Sequence, residues 1–540
     1  MNSKAYAEAV QPEIRSHSNG LHITWQWIRE YVDLLAVLVI QLALTSTYLY
    51  VDSMELWLDE AYTALVTSLP IQLIHEAMIF DAGPPLYYDM VHVWRILFGS
   101  SEFALRSLSI LFSLVVTVYL YLFCRRFFSV SAFWFAAAVW VVSPLSVHYA
   151  VEARNYTMFA ALTVSYVYYL FCFVKIKKRE FLDTATFLGI AMVYTHHVGW
   201  FVVLASVIST IGGLKELRHR VYVLISFLVI IVSYVPWIPF LILQMQNTHM
   251  SIAWTGGLWS PWLPLHTLYA FIPGGSTPGY MKLTSEPIVF WCCTGIFLLI
   301  SVYGIYSVYT SPVRKWVLLT LLTLGLALLG PYLYSYLSSN IYLPGRTDVA
   351  VYPLFCLLLA CPASRFFKPL YWAVILATLT LSGYMLYQNL DQPLSRSEYS
   401  IIRFLENNGQ AGDVVLTTGL TRPVLQYYLD DQFEFMSYPA EMAQHLAHIN
   451  EEWLMQNIDL EQEAEILLNS IAEGLRDRNL WIISSDRPIN RILEEKITQN
   501  PQLSMYPIIR SNFMGLRVLN EPVYIIRLRR IDATGEPDEP

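Results

Sequence analysis

The feature that most limits what this chain can become is its succession of long apolar segments. A helix that crosses a membrane needs about 20 apolar residues. Candidate spans recur at roughly 33–51, 104–124, 132–149, 156–174, 183–196, 198–214, 221–242, 287–309, 316–337, 349–362 and 369–388. The two short halves around His196 and His197 are the least regular of these. Another apolar stretch, 86–98, has only 13 residues, about 20 Å as helix, and follows Pro84 and Pro85, a good helix start. Composition supports a membrane protein: 14% of residues are charged, against about 25% in soluble domains.

Loop charges set the expected topology, because Lys and Arg accumulate on the cytoplasmic side. The basic groups Arg125 and Arg126, Lys175 to Arg179, Lys215 to Arg220, Arg314 and Lys315, and Arg365 with Lys368 fall on alternate loops. The opposite loops hold only Arg95, Arg106, Arg154, Lys282 and Arg346. Letting 86–98 cross would spoil this alternation, so it is expected to lie along the interface. The reading is eleven spans over 33–390, a polar cytoplasmic segment 1–32 whose following apolar run serves as an uncleaved signal anchor, and a large first external loop, 52–103. An odd count places the C-terminal tail outside, which in a bacterial cell means the periplasmic face of a plasma or inner membrane.

That tail differs in kind. Residues 391–540 contain 24 acidic and 13 basic residues, a net of −11, whereas the first 390 carry +3. From about 395 onward, strand-like runs at 413–417, 480–484 and 523–528 alternate with helical patterns at 399–408, 421–429, 462–476 and 488–498. This predicts a soluble α/β domain with a small parallel or mixed sheet. No Gly-rich phosphate loop follows a strand. An acidic tail gives no face for nucleic acid. The six cysteines, all in or beside apolar segments, read as packing residues.

Four charged clusters share the external side. Asp59 and Glu60 follow the first span within Glu55-Leu56-Trp57-Leu58-Asp59-Glu60. A carboxylate there can take the proton of an attacking hydroxyl, and it can equally cap a helix. Asp81, Tyr87 and Tyr88 flank Gly83-Pro84-Pro85, with His92 beyond; the prolines fix the chain and aim Asp81 at the same surface, or simply start a helix. Glu152 and Arg154, in Glu152-Ala153-Arg154-Asn155-Tyr156, stand two apart. They cannot pair on one helix face and are expected to contact separate groups. Arg346, on Pro344-Gly345-Arg346, carries a guanidinium suited to phosphate, or pairs with Asp348 or another carboxylate. His196 and His197 are candidate phosphate donors or metal ligands, or a packed hydrogen-bonded pair. The loop Trp254 to Trp259 could stack sugar rings or anchor at the interface.

Taken together, these stretches resemble the GT-C superfamily of membrane glycosyltransferases, and within it the group of protein O-mannosyltransferases and lipid A aminoarabinose transferase. The matching residues are Trp57 to Glu60, Pro84 to Tyr88, Leu97 to Glu102 with Arg106, Ser143-Pro144 through Tyr156, and Pro344 to Arg346. The match is close over about 52–160 and loose to about 360. The resemblance implies a polytopic α-helical protein that transfers a sugar from a polyprenyl-phosphate carrier to a lipid, glycan or protein hydroxyl on the outer face, with inversion. Carried over, Asp59 is the base, Glu60 its neighbour and Glu152 a further catalytic acid. Arg346 holds the carrier phosphate and Arg154 lines the second external loop; by their own placement in the sequence, Asp81, Tyr87, His92, Tyr156, His196 and His197 are further candidates to line the substrate. The group often has His before the double proline, where this chain has Gly83; any role of that histidine passes to Asp81 or His92, or is absent. Some members bind a divalent metal and others do not, so a metal is left open.

Two other classes compete. A transporter or flippase for a lipid-linked sugar would place ionisable residues near the midplane and often repeat its halves; the charges here cluster on outer loops. A non-catalytic scaffold would leave Asp59, Glu60 and Arg346 without a reason to share a surface.

Overall fold

The computed structural model describes residues 20–51, 55–81, 83–246, 259–271, 295, 313–363, 368–391, 397–417, 422–440, 451–474, 478–485, 487–500, 503–513 and 523–530. The expected span 287–309, apart from position 295, and most of the Trp254 to Trp259 loop lie outside the described residues, as do residues 1–19.

The membrane body is helical throughout. In chain order it comprises α1 (Gly20–Val51), α2 (Leu58–Val66), α3 (Ile71–Ala77), α4 (Leu86–Phe98), α5 (Glu102–Phe127), α6 (Val130–Val142), α7 (Pro144–Ala150), α8 (Tyr156–Ile176), α9 (Arg179–Val193), α10 (Gly199–Gly213), α11 (Leu217–Ser233), α12 (Ile238–Gln246), α13 (Leu263–Phe271), α14 (Arg314–Leu337), α15 (Tyr352–Ala363) and α16 (Lys368–Asp391). Local chemistry explains several boundaries. Ser101 caps α5 by accepting from the Ala104 amide at 3.2 Å; Glu102 stands in the first turn, and Arg125 and Arg126 in the last. Each charge opposes the helix dipole at its own end. Proline at 144 cannot continue α6 and opens α7 instead, with the axis bent by 63°.

The described helices long and apolar enough to cross a membrane number six, or seven if the bent α6–α7 pair is one span. This differs from the expected eleven. The halves around His196 and His197 form α9 and α10 of 15 residues each, about 22 Å long, short of the roughly 30 Å hydrocarbon core. The stretch 349–362 forms a 3₁₀ turn and the 12-residue α15. Turns interrupt the apolar runs at these positions, so the described helices there are shorter than the runs themselves. Helix α4 covers 86–98 with Pro85 as its cap, as its sequence anticipated.

Polar side chains tie α1 to α5 inside the bundle. The Gln41 amide donates to Ser113 Oγ at 2.9 Å and Thr117 donates to Gln41 Oε1 at 2.6 Å. Helix α8, buried along nearly all its length, is the central post against which α5, α9, α10 and α15 pack.

Beyond α16 the chain forms an α/β unit: α17 (Ser397–Asn408), β1 (Val414–Thr417), α18 (Arg422–Leu429), β2 (Glu434–Ser437), α19 (Glu451–Asn457), α20 (Leu460–Gly474), β3 (Leu480–Ser485), α21 (Pro488–Gln499), β4 (Leu503–Phe513) and β5 (Val523–Arg530). The sheet order is β2-β1-β3-β5-β4, with β1 parallel to β2 and β3, and β5 antiparallel to β3 and β4. The three strand-like runs are strands in a mixed sheet. Strands β2 and β4 were missed: β2 is a four-residue edge strand with an exposed start, and β4 is an edge strand broken by register shifts around Pro507. Neither carries a long apolar run. The buried Asp413 carboxylate closes the strand ends, accepting from the Asn479 amide and side chain and from Trp481 Nε1, each at 2.9 Å.

Candidate active site

Asp59 and Glu60 do not lie in a surface loop. They occupy the first turn of α2 and are both buried, at 6% and 1% exposure. The N-cap is Trp57, so Asp59 is not the cap. Glu60 supplies the capping contact, accepting from the Trp57 amide at 3.4 Å.

The two acids then part. Both Glu60 oxygens are committed: Oε1 accepts from Arg106 Nε at 2.7 Å and from the Ala153 amide at 2.8 Å, and Oε2 accepts from Arg106 Nη2 at 2.5 Å. Glu60 therefore joins α2, α5 and the turn before α8. That fork of N–H groups makes a bidentate pair, and a carboxylate so engaged joins the three elements that meet at it. Asp59 Oδ2 accepts from Arg346 Nη2 at 2.8 Å and lies 3.9 Å from Arg154 Nε. Arg346 also donates through Nε to the Tyr156 hydroxyl at 2.5 Å. Of the carboxylate pairings open to Arg346, the one formed is with Asp59 and not with Asp348. Asp348 instead accepts from Thr267, whose hydroxyl also meets Tyr342 at 2.6 Å.

The loop that presents Arg346 is folded for the task. Gly345 has φ of 71°, a left-handed conformation that disfavours side chains. Its carbonyl accepts from the Tyr149 hydroxyl at 2.7 Å. The amides of Arg346 and Thr347 both donate to the Leu343 carbonyl at 3.0 Å.

Arg154 and Glu152 contact separate groups, as their spacing required. Arg154 Nη1 donates to the Tyr88 hydroxyl at 3.0 Å, and Tyr88 in turn donates to Asp81. A continuous chain thus runs Asp81, Tyr88, Arg154, Asp59, Arg346, Tyr156. Tyr87 is buried edge-on against Tyr88, ring centroids 5.8 Å apart. Glu152 is buried, with Oε2 3.5 Å from His148 Nε2 and accepting no hydrogen bond. Burial first, then the nearby Glu60 carboxylate, pushes its carboxyl up to about 8, with Arg346 opposing. Glu152 therefore holds its proton at neutral pH, unlike an ordinary glutamate.

The remaining candidates stand apart. His92 Nδ1 bonds the Thr67 carbonyl at 2.9 Å, a helix-end contact. His197 is held between Gln244 at 3.2 Å and Tyr234 at 3.1 Å. His196 stacks on Phe159 and accepts from the Val198 amide at 3.1 Å. Burial pushes His196 down to about 3 and His197 to about 4. Both are neutral in a packed, hydrogen-bonded setting, the form in which an imidazole can still donate one N–H or ligate through its other nitrogen. Sequence reasoning missed Gln244, whose Nε2 donates to the carbonyls of Met78 at 2.6 Å and Gly83 at 2.8 Å. It anchors the Asp81 turn from α12, and no local motif marks it. Gly83, which stands where the resembled group often has His, serves here through its backbone.

Among the described residues, no three His, Cys, Asp or Glu side chains gather as a metal-holding set. The donor chemistry agrees, since Asp59 is engaged by arginines and Glu60 by Arg106 and amides. No step below is routed through a metal.

The sequence pattern of the dolichyl-phosphate-mannose-protein mannosyltransferase family matches residues 82–240. No curated protein sequence matches the chain. Two crystal structures of ArnT from Cupriavidus metallidurans share its fold at 13% identity. The one bound to undecaprenyl phosphate has a TM-score of 0.54 and covers 95% of this chain and 100% of that one. The apo structure has a TM-score of 0.55, with coverage of 94% and 98%. The chain thus shares the fold of the ArnT structures, and the segment that matches the family pattern runs from the Asp81 turn through Arg154 into α12.

Proposed function

We propose that the chain transfers a sugar from a polyprenyl-phosphate carrier to an acceptor hydroxyl at the external membrane face, with inversion at the anomeric carbon. The observation that carries this reading is the buried carboxylate of Asp59 held by Arg346, with Arg154 close by, on a GT-C fold. In the proposed step the acceptor oxygen bonds to the anomeric carbon as its proton passes to Asp59. The bond from that carbon to the phosphate oxygen breaks, and its electron pair leaves on the phosphate, where Arg346 offsets the charge. The donor phosphate competes with Asp59 for Arg346, so donor binding loosens the ion pair and raises the basicity of Asp59 as the acceptor arrives. The α/β unit faces outward in this reading, and the partners are the lipid-borne donor and a lipid, glycan or protein acceptor.

The test is transfer of labelled sugar from polyprenyl-phosphate donors by the purified full chain. Asp59→Asn keeps shape and removes basicity, so turnover falls by about 10²–10⁴ with donor affinity little changed. Arg346→Ala weakens donor binding instead. An Asp59→Asn enzyme with parental turnover overturns the base assignment; a parent protein that moves no sugar from any such donor overturns the reading itself.

A further inference from the structure

Two adjacent tyrosines of the α/β unit reach across to the elements that hold Asp59, and nothing in the mechanism above uses them. They sit on α18 with rings edge to face, centroids 4.8 Å apart at 88°. The Tyr428 hydroxyl accepts from the backbone amide of Leu56 at 2.9 Å and donates to Glu102 Oε1 at 3.1 Å. The Tyr427 hydroxyl donates to the Ser100 carbonyl at 2.8 Å. Leu56 is the residue before the N-cap of α2, two residues ahead of the turn that bears Asp59 and Glu60. Glu102 is the first residue of α5, one turn ahead of Arg106. The tyrosine pair therefore grips both helices at the ends joined by the Glu60–Arg106 ion pair.

This grip has a physical use. Helix α2 has only nine residues, and isolated helices shorter than about 12–15 residues are marginal. The start of α2 is thus held by tertiary bonds rather than by its own length: Glu60 from within and Tyr428 from the α/β unit.

We propose that Tyr428, seconded by Tyr427, is a positioning residue for the transfer reaction, through which the C-terminal α/β unit sets the placement of the Asp59 turn. The hydroxyl touches no reacting atom in this scheme. It acts by fixing the Leu56 amide and Glu102, and through them the relation of α2 to α5. The inference rests on the proposed transferase reading for its catalytic consequence, but the mechanical coupling can be measured without turnover.

The experiment compares full-length Tyr428→Phe with the parent in amide hydrogen exchange and in steady-state transfer. Phenylalanine keeps the ring and removes one acceptor and one donor. Exchange is expected to quicken over residues 55–66 and 100–106 and to stay unchanged in the α/β sheet. Turnover per folded molecule is expected to fall about 2–10-fold, the range of one net hydrogen bond, while the KM for donor stays within about twofold. Glu102→Gln retains a carbonyl acceptor for the tyrosine and is expected to behave as parent. Arg478→Ala, which breaks an exposed ion pair with Glu434 elsewhere on the unit, controls for general loosening and leaves both readouts unchanged. If Tyr428→Phe does not fold, Glu102→Ala cuts the same bond from the other side. Parental exchange over 55–66, or parental turnover per folded molecule, overturns the proposal. A parent protein without transferase activity overturns the proposed function instead, and the exchange data still decide the coupling.

Discussion

Glu60→Gln gives a direct measure of how much the site depends on its buried joint. The Glu60 side chain is 1% exposed and its Arg106 partner 6%, so this is not a surface pair worth a fraction of a kcal/mol. Four N–H groups converge on it: two from Arg106, one from Ala153 and one from Trp57. Gln offers one acceptor oxygen and turns an N–H₂ toward the others, leaving a buried guanidinium without its counter-charge. Breaking one side of a buried pair costs about 3–5 kcal/mol, a large share of the roughly 5–15 kcal/mol that holds a typical domain. Cys124, Cys172, Cys356 and Cys361 are buried free thiols, so thiol labelling during a thermal ramp in detergent reports unfolding. With Cys292 and Cys293 replaced by Ala, the midpoint should fall by roughly 5–10 °C, taking about 2 °C per kcal/mol for a large chain. Adding Arg106→Met to Glu60→Gln removes the stranded charge, so the double variant should lose less than the sum of the singles by about 0.5–3 kcal/mol. A midpoint within about 1 °C of the parent, or strictly additive singles, would refute the view that this pair is the joint between α2, α5 and the Glu152–Arg154 turn.

Much of the site was legible because its residues break a local rule. Charges next to apolar spans attract notice whatever the fold, and Asp59, Arg154 and Arg346 do converge although 287 positions separate Asp59 from Arg346. The Pro-Gly turn before Arg346 was readable for a similar reason, since a left-handed position selects glycine. What the sequence could not separate was Asp59 from Glu60. Adjacent acids have the same composition and local setting, and the division of labour arises only when Arg106 arrives from α5 and Arg346 from the far end of the body. For His196 and His197 the side-chain type announces titration but not burial; packed against Phe159 and Gln244, they are held well below the ordinary histidine value. Gln244, Tyr427 and Tyr428 were invisible for the converse reason. Each is an unremarkable residue on an ordinary helix, and its role comes entirely from tertiary partners. The span bounds show the same gap: hydropathy registers apolar length but not the turns at 143–144 and 194–198 that interrupt it.

Two further predictions concern orientation and pH. Reporter fusions after residues 180 and 392 should lie on opposite sides of the membrane if the alternating basic loops set the topology; reporters on one side would refute the outward-facing α/β unit. The pH prediction follows from Glu152, whose carboxyl moves from an ordinary 4.5 up to about 8 through burial and the neighbouring Glu60 charge. A carboxyl with a raised folded value binds its proton more tightly in the native than in the unfolded chain. Its contribution to stability is therefore complete below about pH 4.5 and is lost as pH rises toward 8. The charged and titratable groups around it are Glu60, Arg346, Asp59, Arg154 and His148. Asp348, pushed up to about 7 chiefly by burial, adds a fall of the same sign. His196 and His197, pushed down by burial, act oppositely and favour the fold as pH rises toward 6.5. The absolute profile thus mixes signs, and the informative quantity is the difference between parent and Glu152→Gln. Gln cannot ionise, so the variant should gain on the parent steadily from about pH 5 to pH 8 and then hold a constant offset. A difference that stays flat across that window would mean Glu152 titrates as an ordinary carboxylate, and that the site around Asp59 is wetter than its geometry implies.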